Sequence, residues 1–287
     1  MRRALALLLL AAAAAGCGAQ PGTESTQTAT EHARTATAPL LRIGVVGTVA
    51  VSVPGVVVDR GTLAQVIVDP LVLVAAGSPA AASLPAVAAA NPQTHFALVG
   101  GSERTLHLHN VLGIVLRDDQ AARLAGEVAG LVAQGEGVQQ PRVGWVGAPG
   151  STLANAFATG VHATARSAVV LHAWTADVPA ECKESALELV ARAAVAVVAE
   201  RGLCADAAAA GAHEQSVVAL QLPDFELPGV AAAAVVRDAL AGVYHGGEDL
   251  VFGAASGAVG VGRLDPRIDA ATVLRARTLA ADLAAGR

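Results

Sequence analysis

Aromatic side chains are scarce in this 287-residue chain. Phenylalanine, tyrosine and tryptophan make up 2 % of it although 54 % is hydrophobic, so its core must be built from alanine, valine and leucine. Basic clusters are missing too, and the formal charge of -5 excludes the electrostatic footprint of a nucleic-acid binder. Past the N-terminal leader, no apolar stretch reaches the about 20 residues that span a bilayer without a charge, proline or polar break. Catalytic motifs are equally absent. No G-x-S-x-G elbow occurs, and Gly44 and Gly47 do not belong to a G-x-G-x-x-G leading into a helix. His213-Glu214 has no second histidine four residues on, so it is no zincin motif. With no acid, base and nucleophile assembled, the sequence points away from an enzyme and calls for no cofactor.

Among what is present, the first stretch is MRRALALLLLAAAAAGCGAQPGTESTQTAT. Arg2 and Arg3 precede an unbroken Ala/Leu run over residues 4–15, and small residues follow, which is the pattern of an export signal. Twelve apolar residues are too few to cross the hydrocarbon core, which takes about 20. Ala14-Ala15-Gly16-Cys17 resembles a bacterial lipobox, with Ala14 where leucine is usual. Residues 18–39 are rich in Thr, Ser, Gln, Ala, Pro and Gly, as a flexible tether should be. Residues 1–16 therefore read as a signal peptide, Cys17 as a lipid anchor and 17–40 as its tether; an ordinary secretory signal with an incidental cysteine is the other reading. Removing a leader that carries Arg2 and Arg3 lowers the charge by two, from -5 to -7.

From residue 41 onward, short β-branched runs alternate with longer Ala/Leu segments of helical period, the pattern of an α/β fold with parallel sheets covered on both faces. Strands are expected at 41–46, 71–75, 95–99, 111–116, 142–146, 168–172, 194–198 and 216–220, and helices at about 79–90, 118–134, 151–166, 180–193, 229–242 and 269–285. Asp118-Asp119 suits the positive end of a helix dipole. The Gly-rich stretch 244–264 reads as a two-stranded hairpin turning at Ser256-Gly257.

Cys182 opens one helix and Cys204 follows the next strand, so both fall at the carboxyl edge of a sheet. In an exported chain such a pair is expected to close as a disulfide; two buried free thiols are the alternative. His107 and His109 alternate in a polar loop, but two ligands make an incomplete zinc site, so a surface loop is the preferred reading over a metal site.

Several of these stretches together resemble the basic membrane protein (BMP) family of ABC-transporter substrate-binding lipoproteins. NVLGIVLRDDQAARLAGEVAGLVA (110–133) looks like the family's strand and helix with an acidic-Gln pair, and RVGWVGAPGSTLANAFATGVHATAR (142–166) is similar to the next unit. ECK…GLCAD matches a branch with two cysteines at these positions, and the Gly-rich 246–262 also fits. The resemblance implies two Rossmann-like lobes of the type I periplasmic-binding-protein kind. The first would span 41–117 with parts of 223–287 and the second 118–222, while 223–287 would supply a crossover helix, hairpin and C-terminal helix. It implies a monomer on the extracytoplasmic face of a bacterial membrane, passing a small solute to an ABC permease. Phe157 would stack on a ring, and Asp119 and Asp224 would supply carboxylates to the ligand. A degenerate member acting as scaffold or sensor, with no transported ligand, is the alternative.

The departures are specific. Where the family has an Asp-x-x-Phe-Asn segment and a long helix after its first strand, this chain has GTVAVSVPG (47–55). A parallel crossover ordinarily takes a dozen residues or more, so the first strand is expected to run into a hairpin or an irregular Val-rich segment and leave the lobe abbreviated. The second-lobe stretch QLPDFELPG offers no counterpart to the family's lysine. Tight nucleoside binding is therefore not expected; the ligand should be different and less polar, or absent.

Overall fold

The computed structural model describes residues 41–287; the leader, Cys17 and the tether lie outside the described residues. The fold is α/β, with one six-stranded and one four-stranded parallel sheet. In chain order the first unit contains β1 (Leu41–Val46), β2 (Val56–Arg60), α1 (Leu63–Val66), β3 (Leu71–Ala75), α2 (Leu84–Ala90), β4 (His95–Val99) and β5 (Val111–Leu116). The second contains α3 (Asp118–Gly135), β6 (Arg142–Gly147), α4 (Leu153–Thr164), β7 (Val169–Trp174), α5 (Pro179–Ala191), β8 (Ala194–Ala199), α6 (Leu203–Glu214) and β9 (Val218–Gln221). The chain returns through α7 (Pro228–Leu240) and β10 (Asp249–Phe252), then ends in α8 (Ala270–Ala284). The first sheet has the order β10-β5-β4-β3-β1-β2 and the second β7-β6-β8-β9. The chain passes between the sheets after β5, after β9 and again after β10, and α8 packs into the core of the second.

Of the two expected courses after β1, residues 47–55 take the irregular Val-rich one and not the hairpin, and β1 and β2 pair in parallel, from Leu41↔Val56 to Val45↔Arg60. Nine residues suffice because they run extended, at about 3.3 Å each, and need only retrace one short strand. Val49, Val51 and Val53 are buried while Ala50 and Ser52 are exposed, a strand-like alternation. These valines pack with Ala231, Ala232, Val235 and Val236 of α7, taking the place of a crossover helix on that face. A Cβ on Gly229 would collide with the Ala50 carbonyl, so the loop lies directly on α7.

Nor is 244–264 a hairpin. Its first half forms β10, which joins β5 in parallel as an edge strand, Asp249↔Gly113 to Phe252↔Leu116. Gly257 then turns the chain in the left-handed region (φ 74°), and Val259 makes an antiparallel bridge to Glu226 in the second crossover. Helix α6, which the sequence reading leaves out, follows Gly202 (φ 82°) and supplies the second cover of one face of the smaller sheet.

The scarcity of aromatics shows in how closely helices approach. Where α3 crosses α4, a Cβ on Gly126 would strike the Phe157 carbonyl and one on Gly160 the Arg123 carbonyl. Small residues thus bring the two backbones together, and Trp145 and Phe157 fill the space beneath them, both fully buried.

Candidate functional site

Parallel strands point their carboxyl ends one way, and crevices at those ends are the usual ligand sites of such folds. Here the ends of β1, β3, β4 and β5 face the second unit across a cleft of about 610 Å³. The first unit contributes mostly backbone and small side chains: Gly47, Thr48 and Val49 after β1, Ala76 to Pro79 after β3, and Gly100 after β4. Only Thr48 and Ser78 offer side-chain hydroxyls on this wall, in keeping with the sequence of residues 47–55.

The opposite wall is charged. Arg201, two residues past β8, and Glu226 in the second crossover both line the cleft. Arg201 Nη2 donates to Asp118 Oδ1 (2.7 Å), and its Nε donates to Glu226 Oε1 (3.0 Å). Asp118 begins α3 just past the first crossover and Glu226 lies in the second, so one guanidinium ties the two crossover segments together. Burial pushes the Glu226 carboxyl up to about 7; Arg201 opposes the rise without cancelling it. Burial also disfavours the Arg201 charge, but Glu226 and Asp118 outweigh it and hold the guanidinium above its ordinary value.

A smaller cavity of about 220 Å³ adjoins the cleft, since Arg201 and Gly202 line both. It lies at the carboxyl edge of the second sheet, where Gly147 ends β6, Thr175 to Asp177 follow β7 and Glu200 follows β8. Asp177 Oδ1 accepts from the Cys204 N–H (2.8 Å), while Glu200 accepts from Ser151 Oγ (3.0 Å) and the Ala148 N–H (3.2 Å).

Cys182 and Cys204 are joined by a disulfide with their Cα atoms 5.2 Å apart, which clamps α5 to the start of α6 beside this cavity. Phe157 is placed elsewhere: fully buried, its ring lies 5.0 Å from that of Trp145 in the helix–sheet core, and it lines neither cavity. Asp119 forms a two-pronged ion pair with Arg117 (2.9 Å to each oxygen), which holds its carboxyl below the usual range. The cleft instead receives its neighbour Asp118, through Arg201. Asp224 turns back to accept from the Gln221 N–H (3.0 Å), and burial raises its carboxyl. The flanking Pro223 and Glu226 line the cleft, and Asp224 does not. His107 and His109 join no group of metal-ligating atoms among the described residues. The one such group is Asp177 with Cys182 and Cys204, whose sulfurs are bonded to each other. Asp177, Glu200, Arg201 and Glu226 went unremarked in the sequence reading, and Asp118 was noted there only for the helix dipole. The available signal was position: charged residues immediately after parallel strands, as in VVAERG, stand where ligands bind.

No family model matches the chain, and no curated protein matches it. Among solved structures it is similar to an ABC transporter system solute-binding protein from Conexibacter woesei, with TM-score 0.60 and 17 % identity over 86 % of this chain and 97 % of that one. An ABC transporter system solute-binding protein from Aeropyrum pernix is similar too (TM-score 0.54, 16 % identity, 85 % and 86 % covered). So is a transcriptional activator of the comK gene from Bacillus halodurans (0.60, 14 %, 85 % and 97 %). At these identities the likeness is one of fold.

Proposed function

We propose that this chain is a non-enzymatic solute-binding protein that holds a small molecule between its two α/β units and passes it to an ABC permease. The observation that carries this reading is the cleft of about 610 Å³ between the carboxyl ends of two parallel sheets joined by repeated crossovers. The structural likeness to two solute-binding proteins over more than four-fifths of the chain supports it. So does the leader read in the sequence, with Cys17 as lipid anchor and 17–40 as tether on the outer face of a bacterial membrane. Within this reading the chain is a monomeric, divergent member of the BMP family. Its first unit carries GTVAVSVPG in place of a polar ligand-contacting segment and its helix. Each unmatched polar group on a buried ligand costs about 1–3 kcal/mol, so two or three losses weaken nucleoside binding about a thousandfold or more.

The test is mass spectrometry of small molecules that co-purify with the folded protein and leave on denaturation. A stoichiometric solute is the expected result, and an empty protein that also fails to bind any solute offered to it would leave the scaffold reading. Calorimetry with a nucleoside panel should show no submicromolar binding; such binding would mean that the cleft retains the family's nucleoside contacts.

A further inference from the structure

The larger cleft continues beyond its own walls. Thr48, Glu226 and Pro228 line it and also line a further cavity of about 590 Å³, so the two spaces meet at these residues. This further space is a trough between the 47–55 segment and one face of α7. Ala50 and Ser52, the exposed positions between the buried valines, line one side. Val230, Ala233 and Arg237 line the other, and their spacing of three and four residues places them on a single helix face. Val230 keeps 38 % of its surface exposed there, while its neighbours Ala231 and Ala232 are buried. Charge is confined to the two ends. The charged side chains of the cleft are Arg201 and Glu226, which are bonded to each other. Past Glu226, the charge lining the trough is Arg237, about 13 Å of helix beyond Pro228. Arg237 is exposed, and among the described residues it has no carboxylate within ion-pair distance.

We propose that the solute is an elongated monocarboxylate, its hydrocarbon chain lying from the cleft along the α7 trough and its carboxylate on Arg237. This rests on the solute-binding reading and names the class of solute, in line with the less polar ligand expected from residues 47–55. The chain's end would lie in the cleft against Val49, Val99 and Leu116, where the charges already have partners. Removing apolar surface from water supplies the affinity, so binding should grow with each methylene covered. A carboxylate on an exposed guanidinium adds less, but it sets which end of the solute lies at Arg237.

The test is calorimetry and thermal shift with hexanoate, octanoate, decanoate and 1-octanol. One molecule should bind per chain, and each two-carbon step from hexanoate to decanoate should tighten binding by about tenfold. Octanoate should bind up to about fivefold more tightly than 1-octanol, and Arg237→Gln, at an exposed position, should erase that difference and keep the dependence on length. Ala233→Met, which fills the middle of the trough and keeps a strong helix former in α7, should erase the dependence on length. Affinity that does not grow with chain length overturns the elongated apolar solute and leaves the solute-binding reading standing. A length dependence untouched by Ala233→Met overturns the assignment to the trough. Equal or tighter binding of 1-octanol, or a preference for octanoate that survives Arg237→Gln, overturns the carboxylate at Arg237. Failure of all four probes to bind overturns the proposal as well, and the co-purification experiment then decides the solute-binding reading separately.

Discussion

Glu226 gives the sharpest quantitative prediction. Its carboxylate is 8 % exposed and bonded to Arg201, yet burial raises its pKa from 4.5 to about 7. Between these values the folded protein holds a proton that the unfolded chain has released. The folded state thus binds more protons, and stability must fall as pH rises through that window. The rise from 4.5 to about 7 corresponds to about 3 kcal/mol, an upper figure because Asp118 shares the same guanidinium. Glu226→Gln mimics the protonated acid: it keeps an acceptor for Arg201 and cannot ionise. Urea unfolding at pH 4, 5, 6, 7 and 8 should find variant and wild type nearly equal at pH 4. The variant should draw ahead from pH 5, gain most of its lead between pH 5 and 7, and level off at up to about 3 kcal/mol by pH 8. Other titrating groups contribute to both proteins alike, so the difference curve isolates this carboxyl. Parallel stability curves, or a variant that is the weaker one at pH 8, would refute the account of Glu226 as a carboxylate held uncomfortably in a buried crossover.

Reducing the Cys182–Cys204 disulfide opens a loop with a sequence separation of 22 and should cost about 3 kcal/mol in urea unfolding; an unchanged midpoint would show that the bridge constrains nothing. Gly160→Ala drives a methyl into the Arg123 carbonyl and should destabilise by about 1–3 kcal/mol, whereas Gly135→Ala, with open space around it, should gain up to about 1 kcal/mol from helix propensity. Thermal melts that rank these two variants the other way would contradict the close α3–α4 crossing. Cys17→Ser should release the native protein from the detergent phase or block its processing; equal partitioning of mutant and wild type would remove the lipid anchor from the proposal.

The alternation of β-branched runs with Ala-rich helical segments was enough to place most strands and the α/β class, because buried parallel strands and their covering helices differ in period wherever they occur. Local sequence also located the two cysteines at the sheet edge. What it could not convey was partnership. The run VVVDR reads as β-like by itself, but whether it folds back against β1 or travels beside it depended on Val49, Val51 and Val53 finding α7, some 180 residues away in the chain. The same holds for β10, which the Gly-rich pattern suggested as half of a hairpin and which pairs with β5 instead. Phe157 was a ligand platform only by the resemblance to the BMP family; the tertiary packing put it against Trp145, where a chain so poor in aromatics needs its bulk. The charged wall of the cleft was the least legible part. Asp118, Asp177, the adjacent Glu200 and Arg201, and Glu226 come from four separate turns and crossovers, and only the convergence of strand ends and crossovers makes neighbours of them. Composition and period act over a few residues and so determined the elements; a binding site is a coincidence of distant chain segments, and that only the packing of the two sheets decided.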